Sequence, residues 1–74
     1  MTLLQILNSF IDTLTGVKPD TRSRYRYHAR EVVRFYGADP RWNRVDYDKL
    51  VTCIPEEYTS NKSIVVRAVR WMGV

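Results

Sequence analysis

Apolar residues recur at intervals of three and four along most of the chain, which is the pattern of amphipathic helices. The first such stretch covers about 3–14. Thr2 precedes it and Gln5 follows three residues later, the spacing of a capping box, while Gly16 is placed to end the helix. The expected apolar face of this helix consists of Leu3, Leu7, Phe10, Ile11 and Leu14.

The second predicted helix is the longest and covers about 21–36. Asp20 follows Pro19 and is the expected N-cap, because its carboxylate can accept a hydrogen bond from a first-turn amide. Gly37 and Pro40 mark the end of the helix. Its expected apolar face, which should pack between the first and fourth helices, consists of Tyr25, Ala29, Val32, Val33 and Tyr36.

Two shorter helices complete the pattern. The third covers about 47–54, with Asp46 as its cap and with Leu50, Val51 and Ile54 pointing inward. The fourth covers about 61–72, with Ser60 as its cap and an inward face of Ile64, Val65, Ala68, Val69 and Met72. Its β-branched run at 64–66 is also compatible with a strand, but no partner strand lies nearby, so helix is favoured. The sequence thus predicts an all-α fold, a compact bundle of four short helices.

Length and composition narrow the class of protein. A chain of 74 residues makes a single domain, and 45% apolar with 27% charged residues is ordinary globular composition. No apolar run approaches the roughly 18–20 residues of a membrane helix. The start of the chain has no positive charge before its apolar stretch, which argues against a secretory signal. A lone Cys53 excludes an internal disulfide framework. These features favour an intracellular, cytoplasmic protein held together by packing.

Nothing in the sequence is typical of a catalytic centre. Nucleophilic catalysis needs a base beside its nucleophile, and the only histidine, His28, lies mid-helix with arginines around it, so it is interpreted as a boundary or surface residue. Asp46 and Asp48 could be read as a metal-binding pair. Residues two apart on a helix point in different directions, however, so they are not expected to bind one ion together. Cys53 is expected to be a small buried residue. We therefore expect no enzyme activity, no metal and no cofactor.

Nine aromatic residues are many for so short a chain, and most are expected to fill the core. This holds for Tyr25, Tyr36 and Trp71, which follow the apolar periodicity. Tyr27 differs, because it lies toward the arginines and away from the apolar side of its helix. We expect Tyr27 to donate a hydrogen bond to a phosphate.

The distribution of charge is the most informative feature. Twelve Lys and Arg against eight Asp and Glu give a net charge of +4, and eight of the cations lie within 18–44. Arg26, Arg30 and Arg34 repeat every four residues and form a ladder, and neither Arg26 nor Arg30 has an acid three or four residues away. A solvated face is the alternative interpretation, but phosphate binding is favoured. Three further cations project from the fourth helix away from its apolar face: Lys62, Arg67 and Arg70.

The chain also resembles a known family. Its second helix follows a T-x3-Y-x3-apolar-x2-apolar-x2-F pattern through Thr21, Tyr25, Ala29, Val32 and Phe35. This pattern resembles the second helix of the N-terminal core-binding domain, a SAM-like domain, of phage integrases (tyrosine recombinases). The segments LLQILNSFIDTL, RVDYDKLVTCI and TSNKSIVVRAVRWMGV are similar to the other three helices of that domain, the last only in part. The resemblance covers nearly the whole chain, and its strength lies in four degenerate motifs in the right order.

The resemblance implies a non-catalytic module that clamps duplex DNA during site-specific recombination or integration by a virus or mobile element. Its second and fourth helices would lie on the major groove. With Tyr27, the expected DNA-binding residues are then Arg22, Arg24, Arg26, Arg30, Lys62 and Arg67. The catalytic half of the family is absent, so the chain is expected to be an excised N-terminal domain or a free-standing relative. The expected partners are double-stranded DNA and either a catalytic domain in the same chain or other copies of the protein on the DNA. No membrane association is expected.

Two other functions remain open from the sequence. One is a free-standing regulator that binds DNA in a helix-turn-helix-like way. The other is a protein-interaction bundle whose basic face meets an acidic partner. Salt dependence separates DNA binding from such a protein contact only weakly, because both are electrostatic, and competition by unrelated duplex DNA separates them better.

Overall fold

Four α-helices form the fold of residues 1–73, the part of the chain that the computed structural model describes. They are α1 (Leu3–Thr13), α2 (Pro19–Tyr36), α3 (Tyr47–Thr52) and α4 (Thr59–Trp71). A short 3₁₀ helix, Trp42–Arg44, lies between α2 and α3. The helices comprise about 70% of the chain, and the described residues contain no strand. The all-α prediction is confirmed, and the run at 64–66 lies inside α4.

The beginning of α1 is capped as the sequence predicts. The Thr2 hydroxyl accepts from the Gln5 amide at 3.3 Å, and the Gln5 side chain accepts from the Thr2 amide at 2.8 Å. A third acceptor comes from the loop after α2, where an Asp39 carboxylate oxygen lies 2.8 Å from the Leu4 amide. The carboxylate also complements the positive end of the helix dipole. These contacts fix the first turn of α1 against the far end of α2.

Two further predicted helix ends are confirmed. Asp46 caps α3 by accepting from the Lys49 amide at 3.2 Å. Gly37 ends α2 in the left-handed conformation, with φ of 90°, which a residue without a Cβ adopts at little cost.

Two predicted N-caps are wrong. Helix α2 begins at Pro19 instead of at 21, so Asp20 lies in its first turn and is not the cap. Proline at the first helical position already has the required φ and lacks only an amide that would be unpaired there. Helix α4 begins at Thr59, so Ser60 is likewise inside the helix. The ring of Tyr58 packs against Phe35 at 4.9 Å, which anchors the chain just before α4.

The third helix is shorter than predicted. It ends at Thr52 instead of 54, and Cys53 follows as its C-cap. Cys53 is half-buried, and its thiol donates to the Leu50 carbonyl at 3.4 Å. Burial raises the pKa of the Cys53 thiol above its ordinary value, so the neutral form predominates near pH 7. This agrees with the expected role as a small packing residue.

One apolar core joins all four helices. The predicted faces supply most of it, and Val32 of α2 is completely buried. Tyr25 is only half-buried and packs at the edge of the core. The largest fully buried side chains, apart from one asparagine, are Leu3, Leu7, Ile11, Val32, Leu50, Ile54 and Val65.

Three residues expected inside the core lie at its surface. Val51 is 48% exposed, Trp71 is 43% exposed and Met72 is 36% exposed. Val51 belongs to a helix of six residues, too short for periodicity to define its buried side. Trp71 and Met72 lie at the end of α4, where Trp71 packs one part of its ring against Phe10 at 5.9 Å. Val74, the last residue of the fourth sequence motif, lies outside the described residues.

A buried asparagine connects α4 to α2. Asn61 is 2% exposed, and its amide nitrogen donates to the His28 carbonyl at 3.0 Å. The same nitrogen lies 3.5 Å from a carboxylate oxygen of Glu31, which also contacts His28 Nδ1 at 3.1 Å. His28 is therefore the boundary residue that the sequence predicts.

Helix α2 is the centre of the bundle, and it packs against α1, α3 and α4. Helix α1 runs antiparallel to it, since Leu4 meets Asp39 at one end and Asp12 meets Arg26 near the other. With residues 1–73 in place, one side of α2 remains free for a partner. None of the helices within residues 1–73 is both long enough and apolar enough to cross a bilayer.

Candidate nucleic-acid interface

The free side of α2 carries a row of four exposed residues, which we call the arginine face: Arg24, Tyr27, Arg30 and Arg34. Their spacings of three, three and four residues make each a neighbour of the next on the helix surface. From Arg24 to Arg34 the row extends about 15 Å along the axis, at 1.5 Å per residue. Tyr27 is 51% exposed. The row therefore presents three cations and one phenol to solvent.

The arginine face points outward because the opposite side of α2 is buried. Ala29 and Val32 are completely buried and Tyr36 is 7% exposed. Among residues 1–73, no salt bridge involves Arg24, Arg30 or Arg34. Their guanidinium groups thus keep all their hydrogen-bond donors for solvent or for a partner.

Arg22, expected at the DNA, instead holds two elements of the fold together. Its guanidinium donates to the Ile11 carbonyl and to the Leu14 carbonyl, the latter at 2.7 Å. These carbonyls lie at the C-terminal end of α1, where no further turn of the helix supplies amides to the last carbonyl groups. Arg22 is half-buried in this position. The structure separates it from the arginine face.

Replacing Arg22 by alanine should therefore reduce stability. We expect the free energy of unfolding to fall by about 1–3 kcal/mol, because two hydrogen bonds from a charged group are lost and the Leu14 carbonyl loses its partner. Urea unfolding followed by circular dichroism measures this change. Arg24→Ala is the matched control and should leave stability within about 0.5 kcal/mol. Unchanged stability in Arg22→Ala together with weaker DNA binding would return Arg22 to the interface.

Two other expected contact residues form ion pairs. Arg26 lies 2.6 Å from Asp12 of α1, so the ladder is not an unpaired row at this position. Lys62 lies 3.1 Å from Glu56. Exposed pairs of this kind contribute about 0.2–1 kcal/mol, so a phosphate can compete with either carboxylate. Lys62 also borders α3, on a different flank of α4 from Arg67.

Arg67 lies beside a groove between α2 and α4, on the side away from α3. The groove has a volume of about 330 Å³. Arg67 stacks its guanidinium over the Phe10 ring at 5.5 Å from the centroid, which holds the charge at the rim. Helix α4 begins here without a side-chain cap, so its first amides add partial positive charge. The groove is lined by Tyr25, Thr59, Ser60, Ser63, Ile64 and Arg67.

The structure adds residues to the candidate interface that the family resemblance did not include. Arg34 continues the arginine face beyond Arg30, and its spacing of four residues is the sequence signal for it. Ser60 and Ser63 place hydroxyl groups in the α2–α4 groove. Serine carries no comparable signal, because a hydroxyl on a helix is usually only solvated. Within residues 1–73, no group of three or more His, Cys, Asp or Glu side chains is arranged to hold a metal ion.

No protein-family model, curated protein or solved structure matches this chain. The resemblance to integrase core-binding domains therefore rests on the sequence motifs alone. A small helical bundle serves many functions, so the fold does not select one of them. What distinguishes this bundle is the charge and the contacts of the arginine face and the α2–α4 groove.

Proposed function

We propose that this chain is a non-catalytic DNA-binding module that contacts the phosphate backbone of duplex DNA through the arginine face of α2. The observation that carries the proposal is the row itself. Arg24, Arg30 and Arg34 are exposed on the longest helix, and among residues 1–73 they have no salt bridge. The setting would be site-specific recombination or integration, inside the cell, as the resemblance implies.

The chemistry of the arginine face suits phosphate. A guanidinium is planar, permanently charged and able to donate two parallel hydrogen bonds to one phosphate. Tyr27 stands between Arg24 and Arg30 and offers a phenolic donor to the same backbone. Because the three cations lie on one helix, their backbone spacing is already set, and binding has to order only their side chains.

The α2–α4 groove supplies a second set of contacts. Arg67, Ser60 and Ser63 place a cation and two hydroxyls around it, and the start of α4 adds its free amides. Both helices that the resemblance assigns to the DNA thus contribute polar donors. Contacts to phosphate fix the position of the protein on the duplex without reading bases.

Salt dependence tests the proposal directly. Arg24, Arg30, Arg34 and Arg67 together would neutralise about four phosphates, so log Kobs should fall against log salt with a slope of about −3.6. Fluorescence anisotropy with a labelled duplex of about 25 base pairs measures this slope. Since a single small module makes few contacts, a Kd in the micromolar range or weaker is expected.

Comparison of two unrelated duplex sequences separates the rival functions. Backbone contacts predict equal affinity for both, whereas a regulator that reads bases predicts a clear preference. A protein-interaction bundle predicts no binding to duplex DNA at about 50 mM salt. Absence of binding at that concentration would overturn the proposal.

A further inference from the structure

A second surface, on the other flank of α4, is apolar and unrelated to the arginine face. Between α3 and α4 lies a groove of about 410 Å³. A smaller cavity of about 80 Å³ continues it and shares three lining residues with it, Val51, Val65 and Val66. We call the two together the α3–α4 groove. Val51 on α3 and Val66 on α4 face it and are 48% and 42% exposed. The groove is lined by Tyr47, Leu50, Val51, Val65, Val66 and Val69, with Ile54, Lys62 and Arg70 at its ends.

Among residues 1–73, the only charged side chains lining the α3–α4 groove are two cations on α4. Lys62 borders the smaller cavity and Arg70 borders the larger groove. Eight residues separate them, which is about 12 Å along the helix axis. Arg70 has no salt bridge among residues 1–73, and Lys62 pairs with Glu56, whose side chain is 93% exposed. Arg70 is therefore free for a partner, and Lys62 is available to a carboxylate that displaces the exposed Glu56 side chain.

We infer that the α3–α4 groove binds an amphipathic helix of another protein, with an apolar face flanked by acidic residues. An apolar channel between two helices is the geometry into which such a helix packs its row of side chains spaced three and four residues apart. Carboxylates seven or eight residues apart on that helix would reach Lys62 and Arg70 together. The inference does not depend on DNA binding.

Charge complementarity selects this occupant over a second copy of the chain. In a two-fold symmetric contact through the same groove, α4 would lie antiparallel or parallel to its copy, depending on the direction of the axis. Lys62 would then face Arg70 of the other copy or each cation would face its own equivalent, and like charges in a contact oppose association. An acidic helix converts both cations into favourable contacts.

Two synthetic peptides of about 18 residues provide the probe. Both carry leucine at positions 1, 4, 8, 11 and 15 on one face. One has glutamate on the flanks of that face and the other has lysine. We expect the glutamate peptide to bind the chain at least about tenfold more tightly, as measured by fluorescence anisotropy at about 150 mM salt. Amide chemical-shift changes should concentrate in α3 and α4.

Variants locate the peptide on the groove. Val66→Asp should weaken the glutamate peptide at least about tenfold, and Arg70→Glu should weaken it while strengthening the lysine peptide. The matched control Arg44→Glu reverses the charge of another exposed arginine, outside the groove, and should change neither affinity by more than about twofold. Arg30→Ala with Arg34→Ala should leave the peptide affinity unchanged.

Three outcomes would overturn the inference. Equal binding of the two peptides would show that the groove does not prefer an acidic partner. Chemical-shift changes concentrated in α2 would show that the peptide binds the arginine face instead. Sedimentation that shows a dimer abolished by Val66→Asp would assign the groove to a second copy of the chain.

Discussion

Replacing Arg30 and Arg34 together by alanine should weaken duplex binding by about 50- to 100-fold at low salt and flatten the salt slope by about 1.8. Each arginine is assigned one phosphate, and each phosphate contributes about 0.9 to the slope for B-form DNA. Affinity should fall alike for unrelated sequences, because backbone contacts do not read bases. The melting temperature should barely change, since neither residue forms a salt bridge among residues 1–73.

Two controls make this result specific. Arg41 and Arg44 are also exposed, so their double alanine variant lowers the net charge by the same amount. If net charge alone governs binding, both double variants should lose affinity equally, and the arginine face is then only a solvated surface. Lysine at 30 and 34 keeps the charge and should restore the slope, with any remaining loss of affinity measuring the bidentate contribution of arginine.

The Val32→Asp substitution should unfold the protein. Val32 is completely buried on the side of α2 that faces the core, so the new carboxylate would be buried without a partner. A domain of this size has a free energy of unfolding of roughly 4–11 kcal/mol, and an unpaired buried charge together with the lost apolar contact removes most of it. We expect loss of helical circular dichroism at 25 °C.

The same substitution at an exposed valine is the control. Val66→Asp, at a side chain 42% exposed, should retain the helical spectrum and melt within a few degrees of the parent. If Val32→Asp melts as Val66→Asp does, the buried side of α2 has been assigned wrongly. The two variants therefore test which side of α2 is buried, and the exposure of the arginine face depends on the same assignment.

Helix ends were predictable where one short segment determines them. Thr2 with Gln5, Asp46 and Gly37 act as the sequence predicts, because their partners lie within four residues along the chain. Asp20 fails as a cap because Pro19 is itself a favourable first helical residue. The start of α4 was missed because a contact with Phe35, distant in sequence, positions the preceding turn.

The pairing of the arginines was not predictable from helix spacing. Arg22 and Arg26 both find partners on α1, eight to fourteen residues away in the chain. Spacing within one helix reveals only neighbours three or four residues apart, so contacts between helices are invisible to it. Arg24, Tyr27 and Arg30 were correctly expected to be exposed, because the apolar periodicity of α2 already determines its outer side.

The buried amide of Asn61 has a consequence for how precisely the bundle is assembled. Ile64, Val65 and Ala68 are apolar, and contacts among such side chains discriminate poorly between α4 in place and α4 slid by one turn. The Asn61 amide does discriminate, because sliding would remove it from the His28 carbonyl and leave a buried donor unpaired. This hydrogen-bonded side chain, together with the Tyr58–Phe35 contact, thus sets the register of α4 on α2. It thereby determines the distance from Arg67 to the cations of α2, and with it the phosphate spacing that the two helices can bridge.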